Sequence, residues 1–184
     1  MGDQTNGGLL SPYLAQQRLK VAKRWICGKV LDFGCGYGGL ASLCSPSRYL
    51  GFDRDEKALA GARLRYPQHA FTSCLPLEVG VFDRIFLMAV LEHLPKPEAS
   101  LRLLKNLLTA EGKIIFTTPT PWAHRIHAYG APLGLFSQEA AEEHEHRLGR
   151  DQITQLLINS GFVLESYNRF LWRHNQLTVA TPAG

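Results

Sequence analysis

A short apolar run that ends in an aspartate and then opens into glycines constrains this chain more than any other feature. Residues 29–40 read KVLDFGCGYGGL, and a second apolar run, YLGFDRDEKAL, places Asp53 21 positions after Asp32. Both runs have the length and residue types of buried strands, and repeated glycines favour a tight turn into a helix. The pattern predicts two strands that each end in a carboxylate, with a glycine turn after the first.

Apolar strand-like runs alternate with helical patterns along most of the chain. This alternation is typical of an α/β fold with a doubly wound, mostly parallel sheet that is covered on both faces. The final runs FVLESYN and QLTVATP are expected to pair antiparallel. The other predicted strands are Lys29–Phe33, Tyr49–Asp53, His69–Ser73, Phe82–Ala89 and Gly112–Thr118, and the predicted helices are Ser11–Ile26, Gly39–Cys44, Asp55–Leu64, Pro97–Leu108 and Asp151–Ser160.

The length of 184 residues is that of one ordinary domain, so we expect a single domain over residues 1–184. Residues 119–147 are rich in Pro, Gly and His and only weakly periodic, which is typical of a lid-like insertion. We expect a small molecule to bind under this segment, against its apolar side chains. These are Trp122, Leu133, Leu135 and Phe136.

Cysteines, histidines and charges narrow the class of protein further. The four cysteines form no C-x-x-C pair, and the histidines at 124, 127, 144 and 146 match no known metal-site spacing, so no metal is predicted. The longest apolar runs are too short to cross a bilayer and no signal pattern begins the chain, which favours a cytoplasmic protein. A basic run over residues 18–29 within a net charge of +4 is best explained as a solvated helix face.

The spacing of the glycines alone does not identify the ligand. Gly34, Gly36 and Gly39 also satisfy the G-x-G-x-x-G pattern of nicotinamide dinucleotide sites, with Asp53 near the distance expected for a ribose contact. Asp32 separates the two interpretations, because a carboxylate beside the first glycine would repel a pyrophosphate and attract a cationic ligand. S-adenosylmethionine carries an ammonium and a sulfonium and no phosphate.

With these residues in place, the chain resembles the class I S-adenosylmethionine-dependent methyltransferases, in particular the group that includes ubiquinone-biosynthesis and other small-molecule enzymes. The resemblance runs from about Ser11 to Pro182 and rests on five motifs in order. It implies a seven-stranded sheet in the order 3-2-1-4-5-7-6 with the last strand, Gln176–Thr181, antiparallel. The motifs are VLDFGCGYG, LGFDRDEKAL, LPLEVGVFDRIFLMAVLEHL, LLTAEGKIIFTTPTP and LLINSGFVLES.

The resemblance also implies a set of cofactor-binding residues for S-adenosyl-L-methionine. Asp32 is expected to hold the methionine amino group and Asp53 both ribose hydroxyls. Family members usually have an acid after the third strand to receive the adenine amino group, whereas this chain has Ser73, whose hydroxyl is expected to accept instead. The remaining expected contacts come from Gly34, Cys35, Gly36 and Gly38 of the turn, Arg54 and Ala89 after their strands, and the backbone of Cys74 and Leu75.

Glu92 and His93 are the candidate catalytic residues, because they follow the fourth strand and so lie at the same edge as the glycines. A base is needed only when the acceptor must lose a proton, so oxygen, carbon and nitrogen acceptors all stay open. Asp83 is expected to be structural. The alternatives are a non-catalytic S-adenosylmethionine-binding or partner-binding module and an NAD-binding oxidoreductase, although the chain has no Y-x-x-x-K pair. A nucleic-acid substrate is disfavoured because no N/D-P-P-Y/F stretch is present, and the oligomeric state stays open.

Overall fold

Seven strands form one sheet in the computed structural model, which describes residues 11–121 and 148–184. They are β1 (Val30–Phe33), β2 (Tyr49–Phe52), β3 (Ala70–Thr72), β4 (Phe82–Met88), β5 (Leu108–Pro119), β6 (Phe162–Phe170) and β7 (Asn175–Pro182). Their order is β3-β2-β1-β4-β5-β7-β6. Strand β7 runs antiparallel to β5 and β6, and the pairs among β1 to β5 are parallel. The predicted fold class, strand order and reversed last strand are confirmed.

Helices and 3₁₀ turns connect the strands over the described residues. The α-helices are α1 (Ser11–Ala22), α2 (Glu56–Arg65), α3 (Pro97–Leu107) and α4 (Arg150–Asn159), and the 3₁₀ turns span Lys23–Trp25, Gly39–Leu43, Pro46–Arg48 and Leu91–His93. Helix α1 ends earlier than predicted because the chain tightens into a 3₁₀ turn at Lys23. Strand β5 begins earlier than predicted, at Leu108, and its register with β4 shifts between Phe82 and Arg84.

Two apolar clusters cover the two faces of the sheet. Successive residues of a strand point to opposite faces. In β1, Leu31 and Phe33 therefore join the cluster that includes α3 and α4 residues, and Val30 joins the cluster that includes α1 residues. Asp32 is two residues from Val30, so its side chain points to the face covered by α1.

The carboxyl ends of β1, β2, β4 and β5 meet at one edge of the sheet, as the parallel pairing requires. The antiparallel register pairs Pro119 with Asn175, and Asn175 with Phe170, so the β6–β7 turn reaches the same edge. Of the predicted insertion at 119–147, residues 122–147 lie outside the described residues. Over the residues that are described, no helix combines the length and the apolar character needed to span a membrane.

Candidate functional site

The glycine turn after β1 is tied to the end of β2 by backbone hydrogen bonds. The N–H groups of Gly34 and Cys35 both donate to the carbonyl of Phe52, at 2.8 and 3.0 Å. Gly34 has φ of 77°, and a Cβ there would lie 2.5 Å from Cγ2 of Val90. Gly36 also has positive φ, but a Cβ there would meet nothing within 4 Å. The turn therefore packs tightly under Gly34 and leaves open space at Gly36.

Asp53 joins the glycine turn to the beginning of α2. Its Oδ2 accepts the Gly36 N–H at 2.7 Å, and its Oδ1 accepts the Asp55 N–H at 3.0 Å. Each carboxylate oxygen can accept a second hydrogen bond, so both can still receive a hydroxyl. The two amides fix the orientation of a carboxylate that lies at the carboxyl end of β2, beside the open Gly36.

Asp32 is buried beside the same turn, with 2 % of its surface exposed. The Tyr49 hydroxyl donates to its Oδ2 at 2.8 Å. Burial raises the pKa of the Asp32 carboxyl to about 7, the hydrogen bond from Tyr49 opposes this rise, and the nearby charge of Asp53 adds to it. Tyr49 was not predicted from the sequence. The missing information is the strand register. The parallel pairing of β1 with β2 places Tyr49 opposite Val30, two residues from Asp32, and this pairing is not visible in the local sequence.

Cys35 and Ala89 complete the described rim of the turn. Cys35 is 8 % exposed, and burial together with the charges of Asp32 and Asp53 raises the pKa of its thiol above its usual range. Ala89 follows β4 with φ of 59°, and its N–H donates to the carbonyl and the hydroxyl of Thr117. A neutral thiol and a fixed alanine form part of the rim without adding charge.

Two of the residues predicted to contact adenine, Ser73 and Cys74, already have partners in the protein. The Cys74 N–H donates to Thr72 Oγ1 at 3.0 Å. A hydrogen bond from the Ser73 side chain, and then one from Arg63, lower the pKa of the exposed Glu56 carboxyl. Sequence reasoning missed Glu56, which brings a carboxylate from α2 to the stretch after β3 where the family acid is missing. Arg54 is exposed, and Leu75 packs partly against the core.

The structure separates the two candidate catalytic residues, although they are adjacent in the 3₁₀ turn after β4. Glu92 is 5 % exposed, and its charge acts on Arg18 of α1, partly offsetting the burial that lowers the pKa of the Arg18 guanidinium. Arg18 also donates from Nε to Asn175 Oδ1 at 3.4 Å. His93 is exposed. Of the two, His93 is therefore the side chain that is more accessible to solvent.

Two further sequence predictions concern structural and metal-binding roles. Asp83 accepts the Lys29 N–H at 2.7 Å, close to the beginning of β4, as expected of a structural residue. In the described part of the chain, no group of three or more His, Cys, Asp or Glu side chains could hold a metal ion. The histidines at 124, 127, 144 and 146 and Tyr129 lie outside the described residues.

Fold and site together define a doubly wound α/β domain with an acidic glycine turn at the carboxyl edge of its sheet. Comparison with known proteins gives the family. The methyltransferase-domain family matches residues 9–167, which is most of the chain, and the chain belongs to it.

Curated relatives agree with this assignment by name. A probable S-adenosylmethionine-dependent methyltransferase of Mycobacterium tuberculosis is 31 % identical over 153 residues, covering 78 % of this chain and 52 % of that protein. A ubiquinone biosynthesis O-methyltransferase of Chromobacterium violaceum is 32 % identical over 105 residues, covering 49 % of this chain and 44 % of that protein. This chain thus spans about half the length of the curated relatives it matches.

A solved structure shows the same fold. The magnesium protoporphyrin IX methyltransferase of Synechocystis with bound S-adenosylhomocysteine superposes with a TM-score of 0.71, at 19 % identity, over 99 % of this chain and 90 % of that one. The resemblance inferred from the five motifs is therefore confirmed at the level of family and fold.

Proposed function

We propose that this chain is an S-adenosylmethionine-dependent methyltransferase that transfers a methyl group to oxygen, carbon or nitrogen of a small molecule. One observation carries the proposal: the carboxylates of Asp32 and Asp53 flank a glycine turn with open space at Gly36, close enough for the charge of Asp53 to raise the pKa of Asp32. Two adjacent acids favour a cation and repel a diphosphate. This supports S-adenosylmethionine as the cofactor over NAD.

The residues fit the chemical groups of such a cofactor. Asp53 has both oxygens oriented by backbone amides and can accept two ribose hydroxyls. Asp32, once ionised, balances an ammonium at the buried side of the turn. Gly34, Gly36 and Gly38 lie in the turn between the two acids. Cys35 is an uncharged residue of the same turn, and Ala89 follows β4 at the same edge of the sheet. When bound, S-adenosylmethionine supplies an electrophilic methyl group on sulfur.

Adenine recognition is proposed on the remaining polar groups after β3. The Leu75 N–H is the preferred donor to an adenine nitrogen, because the Cys74 N–H is already bonded to Thr72. Ser73, with the Glu56 carboxylate bonded to it, offers the polar edge that the absent family acid would otherwise provide. Arg54 is exposed beside Asp53 and is proposed to flank the ring.

His93 is proposed as the base for acceptors that must lose a proton. It is exposed and follows β4 at the edge where the glycine turn lies, and a neutral imidazole nitrogen can accept a proton. Glu92 is proposed as a positioning residue, because it is buried and acts on Arg18. For acceptors that need no base, the protein's contribution is to align the acceptor and exclude water.

We propose that residues 1–184 form one domain with an acceptor-covering segment at about 119–147. A cytoplasmic location is supported by the free thiols of Cys27 and Cys74, both exposed, since such thiols persist in reducing compartments.

Calorimetric titration with S-adenosylmethionine, S-adenosylhomocysteine and NAD tests the cofactor. We expect both sulfur nucleosides to bind and NAD to bind at least about 100-fold more weakly, a difference of about 2.7 kcal/mol. Transfer of a labelled methyl group to a panel of phenols, amines and activated carbon acids tests the reaction. Preference for NAD would contradict the proposed cofactor, whereas cofactor binding without transfer to any acceptor would favour a non-catalytic module.

A further inference from the structure

A groove of about 500 Å³ opens beyond the end of β5, at the same edge of the sheet as the glycine turn. We propose that this groove holds the acceptor of the proposed methyl transfer by an oxyanion, a carboxylate or a phosphate monoester, on a planar apolar body. The inference rests on the proposed function for its reaction and on the groove itself for its ligand chemistry. The described residues that line it are Thr120, Pro121, Gly149, Arg169, Trp172 and Arg173.

Trp172 and Arg173 are presented by a turn with an unusual backbone. Leu171, Trp172 and Arg173 have φ of 51°, 49° and 71°, a left-handed run that side chains disfavour. Thr120 holds this turn, because its hydroxyl donates to the Arg173 carbonyl at 2.8 Å. Its N–H donates to the His174 carbonyl at 2.9 Å. Strained backbone held by its surroundings is common at ligand sites.

The Trp172 ring is left largely in solvent by this conformation. Trp172 is 83 % exposed, and Arg173 beside it is also exposed. The strained turn therefore supports neither the core nor a packed interface among the described residues. A flat ring beside a guanidinium is the arrangement that binds a planar anion, by stacking on the ring and pairing with the charge.

Arg169, another lining residue of the groove, is oriented by a chain of hydrogen bonds that begins in the core. Gln176 is fully buried and donates to Thr118 Oγ1 at 2.8 Å. Tyr167 donates its hydroxyl to Gln176 Oε1 at 2.6 Å, and Arg169 Nε donates to the Tyr167 hydroxyl at 3.1 Å. The guanidinium is thus held by one of its five N–H groups, which leaves the terminal nitrogens for a bidentate anion.

Charge at the groove is positive and uncompensated within the described residues. Neither Arg169 nor Arg173 forms an ion pair with a carboxylate in residues 11–121 or 148–184. By contrast, Lys113 and Arg102 elsewhere on the surface each pair with a glutamate. An oxyanion would complement the two guanidinium groups that line this groove.

The strand order gives the approximate distance between the groove and the glycine turn. In the sheet order, β7 is three strands and β6 four strands from β1, which at a spacing of about 4.8 Å per strand is about 14–19 Å. An acceptor anchored by its anion at Arg169 and Arg173 therefore needs an extended body, longer than two fused rings, to reach toward the turn. The groove selects for acceptors that carry the anion at one end and the nucleophile at the other.

Binding of three matched probes tests this inference without requiring methyl transfer. Naphthalene-2-carboxylate and 2-naphthyl phosphate carry the anion on a planar body, and naphthalene-2-carboxamide has the same shape without the charge. We expect either anion to quench Trp172 fluorescence and to bind about tenfold more tightly than the amide, as charge-assisted hydrogen bonds would give. The anion that binds more tightly indicates whether the group that the acceptor carries is a carboxylate or a phosphate.

Substitutions test whether the anions bind at Arg169 and Arg173. Arg173→Gln and Arg169→Gln should each weaken the preferred anion about tenfold, and Arg173→Lys should retain part of the affinity because it keeps the charge but loses the planar fork. Arg48→Gln is the matched control, since Arg48 is exposed and precedes β2, at the opposite edge of the sheet. All three side chains are exposed, and melting curves confirm that the four variants are folded.

The outcomes separate this inference from the proposed function. Equal binding of the anions and the amide, or equal losses in Arg48→Gln and Arg173→Gln, would overturn the groove assignment even when S-adenosylhomocysteine binds. A labelled single-stranded oligonucleotide that binds more tightly than the naphthalene anions through the same arginines would replace it with a nucleic-acid site. If the nucleoside does not bind but the anions do, the proposed function fails and the oxyanion site remains.

Discussion

At the scale of single residues, Asp53 has two roles, and substitution can distinguish both of them from an effect on the stability of α2. It orients the glycine turn through Gly36 and, by the proposed function, receives two ribose hydroxyls. We expect Asp53→Ala to weaken S-adenosylhomocysteine binding by about 2–4 kcal/mol, because charge-assisted hydrogen bonds are lost. Isothermal titration calorimetry measures this directly.

Asp55 offers the matched control for that substitution. It is two residues away and accepts the Lys57 N–H as the N-cap of α2. Asp55→Ala should cost about 1 kcal/mol of unfolding free energy through the lost cap while leaving the nucleoside affinity nearly unchanged. Equal effects of the two substitutions on binding would remove the ribose role from Asp53.

The exposed His93 and the buried Glu92 should respond differently to substitution. His93→Ala is expected to leave affinity for S-adenosylhomocysteine nearly intact and to lower turnover about 100-fold with a phenolic acceptor, the range of general-base catalysis. With an acceptor that needs no deprotonation, the same variant should keep its rate. Steady-state kinetics on both acceptors checks this, and an unchanged rate on the phenol would make His93 structural.

Sequence patterns reach some of these residues and miss others for a physical reason. Asp32 and Asp53 could be predicted because each ends an apolar run, and the end of a strand is visible in the local order of residues. Tyr49 and Arg18 could not, because their partners are set by strand register and helix packing between residues far apart in the chain. The partners of Arg169 depend on β6 and β7 in the same way.

At the scale of elements, the contact between the glycine turn and the segment after β4 can be tested with two glycines of the same turn. Gly34 and Gly36 both have positive φ, so alanine at either position costs about 1–2 kcal/mol in backbone strain. Only at Gly34 would the added Cβ overlap Val90. Gly34→Ala should therefore destabilise the fold by about 1–3 kcal/mol more than Gly36→Ala.

Denaturant unfolding gives the difference between these two variants, and a third variant identifies its source. Val90→Ala in the Gly34→Ala background removes the overlapping methyl groups, so it should recover part of the extra loss. Equal unfolding free energies of the two glycine variants would mean that the β1 and β4 loops do not restrain each other.

Element types were easier to predict than element ends. Helical and strand periodicity located the strands and helices within the described residues, because the apolar faces that define them must be buried. The end of α1 and the early start of β5 were not predicted, since a 3₁₀ turn at Lys23 and the register shift opposite Phe82 leave no periodic signal. Both depend on how neighbouring elements pack.

At the scale of the whole molecule, strand order shows what local patterns leave undetermined. Alternating strands and helices indicate a doubly wound sheet, but several orders satisfy that alternation. The predicted strand order came from the resemblance to the methyltransferases, and the structure confirms it, with β7 paired between β5 and β6. That order also brings the β6–β7 turn, with Trp172, to the edge where the glycine turn lies, which no spacing in the sequence indicated.

The buried Asp32 should make global stability depend on pH. Its pKa is raised from 3.8 to about 7 in the folded state, so the folded protein holds this proton more tightly than the unfolded chain does. The contribution is fully present below pH 3.8 and is lost as pH rises through about 7, by up to about 4 kcal/mol. Unfolding free energies of wild type and Asp32→Asn between pH 4 and 8 measure it, because asparagine stays neutral throughout: the wild type should lose stability relative to the variant as pH rises.

Nucleoside binding should have the opposite pH dependence, because an ammonium pairs with the ionised form of Asp32. S-adenosylhomocysteine affinity should therefore rise as pH increases from 5.5 to 7.5, approaching about tenfold per unit well below the pKa near 7. The ligand's own ammonium begins to lose its proton near pH 8, which sets the upper end of the range. Asp32→Asn should bind weakly and without this slope. A wild-type affinity that stays flat across the range would mean that the buried carboxylate does not face the ammonium, and the assignment of the amino-acid end of the cofactor to this side of the turn would fall.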